Sequence, residues 1–287
     1  MKPNVLIGVV ASALAALGLY TAAVRDGEST LPPNPPPRLE AHFIDVGQGD
    51  SMLAKLPDGR AMLIDAGPGS AADKVVGYLR EQNVGKIDIL IATHPHEDHI
   101  GGMDEVVREF EIGEIYMPKV SANTKAFESL LTEIRDKGLT VGSAKGGMVL
   151  PGGGGVSIEF FAPNGERYAE LNNHSAVTKI TYGDTAFLLT GDAENLSETE
   201  MLGAGYALAA DVLKVGHHGS NTSTAPAFLR AVSPRVAVIS VGQGNSYRHP
   251  APDTLQNLEN DGVSVYRTDE LGTIVIYSDG ENIRVGN

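Results

Sequence analysis

The stretch Ile87–Gly102 reads I-D-I-L-I-A-T-H-P-H-E-D-H-I-G-G. Its first part, Ile87–Ala92, is an apolar run broken only by Asp88, which predicts a buried strand. Thr93–His99 then falls at the C-terminal end of that strand, where α/β sheets place their sites. His94, His96, Asp98 and His99 put four ligand side chains within six positions. Neutral imidazole with carboxylate suits zinc, and also manganese or iron. In an extended segment His94 and His96 point the same way by the period of two. Asp98 and His99 are then free to turn toward a second ion, and Gly101 and Gly102 let the backbone turn tightly into the next helix.

Working outward, Leu39–Val46 and Ser51–Leu56 predict strands joined by a Gly47-Gln48-Gly49 turn, and Ala61–Ile64 a third that ends at Asp65-Ala66-Gly67. Ala71–Gln82 carries Val75, Val76 and Leu79 at helical spacing. Further helices are predicted around Met103–Phe110 and Lys125–Lys137, the second closed by Gly138. Strands recur at Val156–Phe161, Val177–Tyr182, Ala186–Leu189, Val212–Val215, Val236–Val241 and Thr273–Ile276. Helices are expected near Glu194–Leu202, Ala225–Ala231 and Asp253–Asn260. Strands lead and then alternate with helices in two rounds, so the expected class is α/β, with mixed sheets covered by helices.

The N-terminus has a different character. Lys2 precedes a nearly uncharged run, Val5–Val24, that Arg25 and Asp26 end. The run is about the roughly 20 residues needed to span a bilayer, while Thr21-Ala22-Ala23 also suits a small-residue cleavage site. Residues 1–24 are therefore expected to be a signal peptide or a membrane anchor, and both readings stay open. Residues 25–38 form a Pro-rich linker, with five prolines between Leu31 and Arg38, and residues 39–287 the folded domain. The expected location is outside the cytoplasm, periplasmic or extracellular, with residues 5–24 able to tether the chain to the membrane. The absence of cysteine excludes disulfides, thiolate ligands and a cysteine nucleophile. A formal net charge of −14 repels long polyanions unless metals or a local basic patch compensate.

The ordered motifs resemble one family. H-x-H-x-D-H after a buried strand is similar to the signature of the metallo-β-lactamase superfamily. F-I-D-V-G-Q-G-D (Phe43–Asp50), L-I-D-A-G (Leu63–Gly67), L-L-T-G-D (Leu188–Asp192), L-K-V-G-H-H-G-S (Leu213–Ser220), N-S-Y-R-H-P (Asn245–Pro250) and R-T-D-E-L-G-T-I (Arg267–Ile274) resemble its ComEC-type branch. That branch includes the hydrolase-like domain of competence DNA-uptake proteins. The resemblance implies an αββα sandwich of two mixed sheets and a metal-dependent hydrolase with two divalent ions, zinc or alternatively manganese. It implies that His94 and His96 hold one ion and Asp98 and His99 the other, that Asp192 bridges them, and that His217 is the last ligand. His218 is assigned to the substrate side, although the two adjacent histidines are interchangeable at this level. Asn172-Asn173-His174-Ser175 places a histidine in a variable slot, either as a further ligand or facing solvent.

Asp65 is expected to orient a ligand histidine, while Asp45 and Asp50 either support the site or form turns. His249 is a candidate for substrate contact or leaving-group protonation, beside Tyr247 and Arg248. Asp98, His218 and His249 make up the expected catalytic set. His42, on a strand, reads as structural. The expected reaction is attack by a metal-activated hydroxide. The first-choice substrate is a phosphodiester, a small-molecule, nucleic-acid or cell-envelope phosphoester. Hydrolysis of a β-lactam or lactone, and a non-catalytic exported module of a DNA-uptake or envelope assembly, remain as alternatives. No protein partner is inferable.

Overall fold

The computed structural model describes residues 38–286. The expected leader (1–24) and all of the linker but Arg38 lie outside the described residues. Among the described residues no helix is long and apolar enough to cross a membrane.

In chain order the strands are β1 (Leu39–Phe43), β2 (Ser51–Lys55), β3 (Ala61–Ala66), β4 (Lys86–Ile91), β5 (Glu111–Met117), β6 (Val141–Ser143), β7 (Val149–Leu150), β8 (Val156–Phe160), β9 (Thr178–Tyr182), β10 (Thr185–Leu189), β11 (Val212–Lys214), β12 (Val236–Ile239), β13 (Ser264–Arg267), β14 (Ile274–Ser278) and β15 (Ile283–Val285). Among the described residues they form two sheets. The first has the order β15-β14-β1-β2-β3-β4-β5-β6 and the second β13-β12-β11-β10-β9-β8-β7. In the first sheet β1, β2 and β3 run antiparallel, and β3 through β6 parallel. In the second, β8, β9 and β10 are antiparallel, while β10 through β13 are parallel.

Side-chain alternation along the strands divides the interior into three apolar layers. On β3, Met62 and Ile64 point into the space between the sheets, while Ala61 and Leu63 pack beneath helices. On β10, Phe187 and Leu189 join Met62 and Ile64 in the middle layer, and Ala186 and Leu188 face the opposite helices. Val75, Val76 and Leu79 of helix Ala72–Glu81, with Leu130 and Ile134 of helix Lys125–Asp136, cover the first sheet. Met201, Phe228, Leu229 and Leu258, from helices Asn195–Ala204, Pro226–Val232 and Pro252–Asn260, cover the second. Helix, sheet, sheet and helix are thus the four layers of the expected αββα sandwich.

The predicted elements are present with ends shifted by a few residues. Strand β5 was not foreseen. It reads E-I-G-E-I-Y-M, and only Ile112, Ile115 and Met117 are buried, so it carries neither clean alternation nor an apolar run. Strands β6, β7, β13 and β15 are likewise short or marginal in pattern.

Parallel strands deliver their C-terminal ends to one rim, and this is what positions the site. The segments that follow β3, β4, β10 and β11 meet there. Glu198, in the helix after β10, braces the rim. It is buried, and its carboxylate accepts hydrogen bonds from the backbone N–H groups of Thr224 and, at 2.9 Å, Ala225. Those groups precede helix Pro226–Val232. Burial pushes the Glu198 carboxyl up to about 7, against the backbone donors that pull it down. A folded pKa raised above the ordinary 4.5 contributes stability that is complete below pH 4.5 and is lost as pH rises through 7. In Glu198→Gln this loss should disappear. Melts at pH 5 and pH 8 should show the wild type losing on the order of 1–3 kcal/mol more than the variant. Equal losses would mean that Glu198 titrates normally.

Candidate metal centre

Asp65, next to last in β3, organises the residues beyond β4. It is fully buried in a left-handed conformation (φ 54°). Its Oδ1 accepts from the Thr93 amide at 2.8 Å, and its Oδ2 from the Thr93 hydroxyl at 2.6 Å. The same Oδ2 lies 2.8 Å from His99 Nδ1. This fixes the His99 ring so that its Nε2 faces the rim, the orienting role expected of Asp65.

His94 follows Thr93. Its Nε2 lies 3.0 Å from His96 Nδ1 and 3.9 Å from Asp192 Oδ2. His96 precedes the short helix Glu97–Ile100, which carries Asp98 and His99. The turn out of that helix is tight. A Cβ on Gly101 would stand 2.4 Å from the Gly69 nitrogen and 2.5 Å from the Glu97 carbonyl, so only glycine fits. Gly49 (φ 145°) is equally confined, because its Cβ would stand 2.3 Å from the Asp98 carbonyl oxygen. Asp50 N–H donates to that carbonyl at 3.1 Å. The Gly47-Gln48-Gly49 turn therefore closes on the metal motif.

Asp192, three residues beyond β10, is the hub. Its Oδ2 lies 3.2 Å from His99 Nε2, 3.5 Å from His218 Nε2, 3.8 Å from His217 Nε2 and 3.9 Å from His94 Nε2. Two donor groups share it: His94, His96 and Asp192 on one side, and Asp98, His99, Asp192 and His218 on the other. Donors arranged tetrahedrally at about 2.1 Å from an ion are about 3.4 Å apart. The second group closely approaches that spacing, with 3.2 Å and 3.5 Å to Asp192 and 3.3 Å between His218 Nε2 and Asp98 Oδ2. His99 Nε2, His218 Nε2 and Asp192 Oδ1 are buried without a hydrogen-bond partner. Converging lone-pair donors that no protein hydrogen bond satisfies fit a pair of divalent ions with Asp192 between them.

Two open assignments take a definite geometry. His218, not His217, closes the second donor group. Both residues adopt left-handed backbone (φ 47° and 54°) in the Gly216–Gly219 turn after β11. His218 is buried, and its Nδ1–H donates to the Ser240 carbonyl at 2.9 Å, which turns Nε2 toward Asp98 and Asp192. His217 is partly exposed and reaches Thr222 Oγ1 at 3.2 Å and Glu194 Oε1 at 3.4 Å. The second is His174, which belongs to neither donor group among the described residues. In the tight turn Leu171–His174, Asn172 and Asn173 reach Glu194 at 3.3 and 3.2 Å. His174 faces the other way, edge-on to Tyr168 with ring centroids 4.9 Å apart, and lines a separate cavity. Asp45 is a turn residue: its Oδ1 accepts from the Gly47 amide, and its Oδ2 pairs with Lys74 at 2.8 Å.

Lys214 is a site residue the sequence reading passed over. It is buried at the end of β11, 2.5 Å from Asp50 Oδ2 and 3.1 Å from the Gly191 carbonyl. The signal was available, since a lysine inside the apolar run Val212–Val215 needs a buried partner. Burial pushes the Asp50 carboxyl up, but the Lys214 ammonium and then His218 outweigh it and bring it down to about 2. Burial likewise lowers the His218 imidazole, and Asp192 and Asp50 raise it to about 9. Burial first, and then the neighbouring His99 and His96, drive His94 well below the ordinary value against the pull of Asp192, leaving it a neutral donor. The carboxylates thus draw positive charge onto His99 and His218. A dication held by these residues would supply that charge instead, with both rings neutral.

A cleft of about 410 Å³ opens over the donors, lined by Gln48, His96, Asp98, His217, Tyr247 and His249 among others. His249 lies 5.6 Å from His217 between ring centroids and stacks on Tyr247 at 5.8 Å. It faces the space above the donors rather than joining them.

A sandwich of two mixed sheets with a His/Asp donor cluster on one rim is the architecture of the metallo-β-lactamase fold. The sequence profile described as "Metallo-beta-lactamase superfamily" matches residues 44–243, and the chain belongs to that superfamily. Within it, the ComEC-type motifs agree with the relatives found. The chain is 34% identical over 252 residues to ComE operon protein 3 of Bacillus subtilis, covering 82% of this chain and 32% of that protein. It is 32% identical over 232 residues to competence protein ComA of Neisseria gonorrhoeae, covering 80% and 31%. The chain thus spans about a third of the length of these relatives. Among solved structures, CmlA, a diiron β-hydroxylase from Streptomyces venezuelae, superposes with a TM-score of 0.55 at 16% identity over 82% of this chain and 53% of that one. At that identity the likeness concerns the fold alone.

The geometry separates the adjacent histidines experimentally. His218→Ala should lose one of two bound ions, measured as metal content per chain after dialysis, whereas His217→Ala should keep both. Asp65→Asn should weaken metal binding about 10- to 100-fold in titration calorimetry. Loss of an ion in His217→Ala with retention in His218→Ala would restore the sequence-based assignment.

Proposed function

We propose that this protein is an exported, metal-dependent phosphodiesterase whose natural substrate is a nucleic acid or a related phosphoester, with zinc as its metal. The observation that carries the reading is the position of Asp192 between two donor groups beneath an open cleft. A structural ion needs no such cleft. The chemistry that a pair of divalent ions brings to such a site is Lewis acidity and activation of water.

The chain's own residues supply the rest. Asp65 and the Ser240 carbonyl fix the two imidazoles in the tautomer that offers Nε2. Lys214 keeps Asp50 ionised behind His218 and so holds that ring in place. His249, on the cleft wall beside His217 and Tyr247, is placed to contact the substrate, and burial and the neighbouring histidines keep its ring neutral. Tyr247 is 66% exposed beside it and offers a ring face to a base or aryl group. Similarity to competence proteins supports a nucleic-acid phosphodiester over a lactam. Export rests on the apolar run at residues 5–24 and the Pro-rich segment after it.

The zinc-loaded protein should hydrolyse bis(p-nitrophenyl) phosphate and single-stranded DNA, and leave a chromogenic β-lactam intact. Asp98→Ala should lower turnover at least 100-fold. Cleavage of the lactam alone would move the substrate class. Failure on all three substrates with both ions bound would make the protein a non-catalytic module.

A further inference from the structure

The cavity that holds His174 contains about 340 Å³ and is lined by Lys119, Ser143, Lys145, Arg167 and Glu166 beside that histidine. In a chain of net charge −14 this is an unusual gathering of cations. Many other basic side chains are matched to acids, as Arg60 is to Asp58, Arg108 to Glu133 and Arg235 to Asp211. Among the described residues, Lys119, Lys145 and Arg167 have no ion pair and no side-chain hydrogen bond. Three unpaired cations around one concavity, with Glu166 as the lone carboxylate, favour an anion.

The topology puts this cavity in line with the metal centre. Lys119 lies two residues beyond β5 and Lys145 two beyond β6. Both strands are parallel to β4, which delivers His94 to His99. Arg167 lies in the loop after β8. That strand is antiparallel to β9, as β9 is to β10, so β8 runs parallel to the strand that delivers Asp192. Every lining segment is therefore on the same rim as the donors. In the second sheet the order β12-β11-β10-β9-β8 places the Tyr247 loop, after β12, at one end of that rim. His218 and Asp192 stand in the middle, and the basic cavity at the far end. The turn Leu171–His174 links the two spaces. Asn172 Nδ2 is 3.4 Å from the His217 ring, while His174, two residues on, lines the cavity. Two residues span at most about 7 Å.

We propose that this cavity is a phosphate subsite, with Lys119, Lys145 and Arg167 gripping the backbone of a single-stranded nucleic acid beside the bond presented to the metal centre. The inference rests on the phosphodiesterase reading and extends it. A base stacks at Tyr247, the scissile phosphate lies over Asp192, and a neighbouring phosphate enters the basic cavity. The overall acidity of the chain is answered locally, at the place where the substrate touches.

The test is equilibrium binding of a labelled single-stranded oligonucleotide to the full chain, in an Asp98→Ala background that prevents cleavage, at several salt concentrations. Lys119→Ala/Lys145→Ala/Arg167→Ala should weaken binding at least tenfold and flatten the log–log salt slope by about 2, since each phosphate contact on a single strand contributes about 0.7. A control removes the same charge from the opposite rim: Lys55→Ala/Arg135→Ala/Arg235→Ala should change binding less than twofold. Equal effects in both triple variants, an unchanged slope in the first, or no oligonucleotide binding by the parent chain would overturn the subsite. Thermal melts confirm that each variant is folded. Wild-type turnover of bis(p-nitrophenyl) phosphate, measured separately, reports on the phosphodiesterase reading. Turnover without a groove effect refutes only the subsite, and a groove effect without turnover refutes only the enzyme.

Discussion

One carboxylate oxygen, Asp192 Oδ2, lies within 4 Å of four imidazoles in a place that water hardly reaches. Burying a lone carboxylate costs several kcal/mol even after relaxation, so this side chain is tolerable only where positive charge or a metal meets it. Much of the surrounding structure meets that requirement. Asp65 locks His99, the Ser240 carbonyl locks His218, and Lys214 holds Asp50 as the supporting acid behind them. Asp65, His217 and His218 all carry left-handed backbone, a conformation that costs of order 1–3 kcal/mol each where no glycine is present. Such strain persists only where neighbours over-determine it, and here they do so at the point where donor directions matter most.

The donors come from positions far apart in the chain, and the sheets bring them together. Parallel strands all end on the same side, so whatever follows β3, β4, β10 and β11 meets without any long loop. Glycine then decides how closely the segments approach. Gly49 and Gly101 stand where a single added carbon would collide with the backbone of the metal motif or its neighbour. Two glycines that read in the sequence as turn formers therefore act as spacers between segments.

The sequence made the fold legible because the decisive strands are buried on both faces and read as apolar runs, as β4 and β10 do. Strand β5 escaped notice because its acidic residues face solvent on an otherwise ordinary parallel strand. The donor set was legible in its local part, His94 to His99, where spacing alone implies convergence, and in Asp192, which follows an apolar strand. The roles of His217 and His218 were not legible. Adjacent residues in a left-handed turn project in directions set by tertiary partners, here the Ser240 carbonyl 22 residues away. His174 stayed open in the sequence for a related reason: the turn that carries it commits its asparagines to Glu194 and sends the histidine to the opposite side.

Net charge read from composition and charge at the site then have to be reconciled. A chain of −14 repels a polyanion at long range, but screening at physiological salt limits that repulsion to about 8 Å. Within that distance the balance is local, and on the rim it differs from the average. Asp192 and Asp50 there are committed to imidazoles and to Lys214, so little of their charge faces outward. Lys119, Lys145 and Arg167 are committed to nothing. In the proposed subsite, an acidic surface with an uncompensated basic cavity beside the metal donors would be more selective than a uniformly basic one, because it would hold a phosphate chain along the track that leads to Asp192.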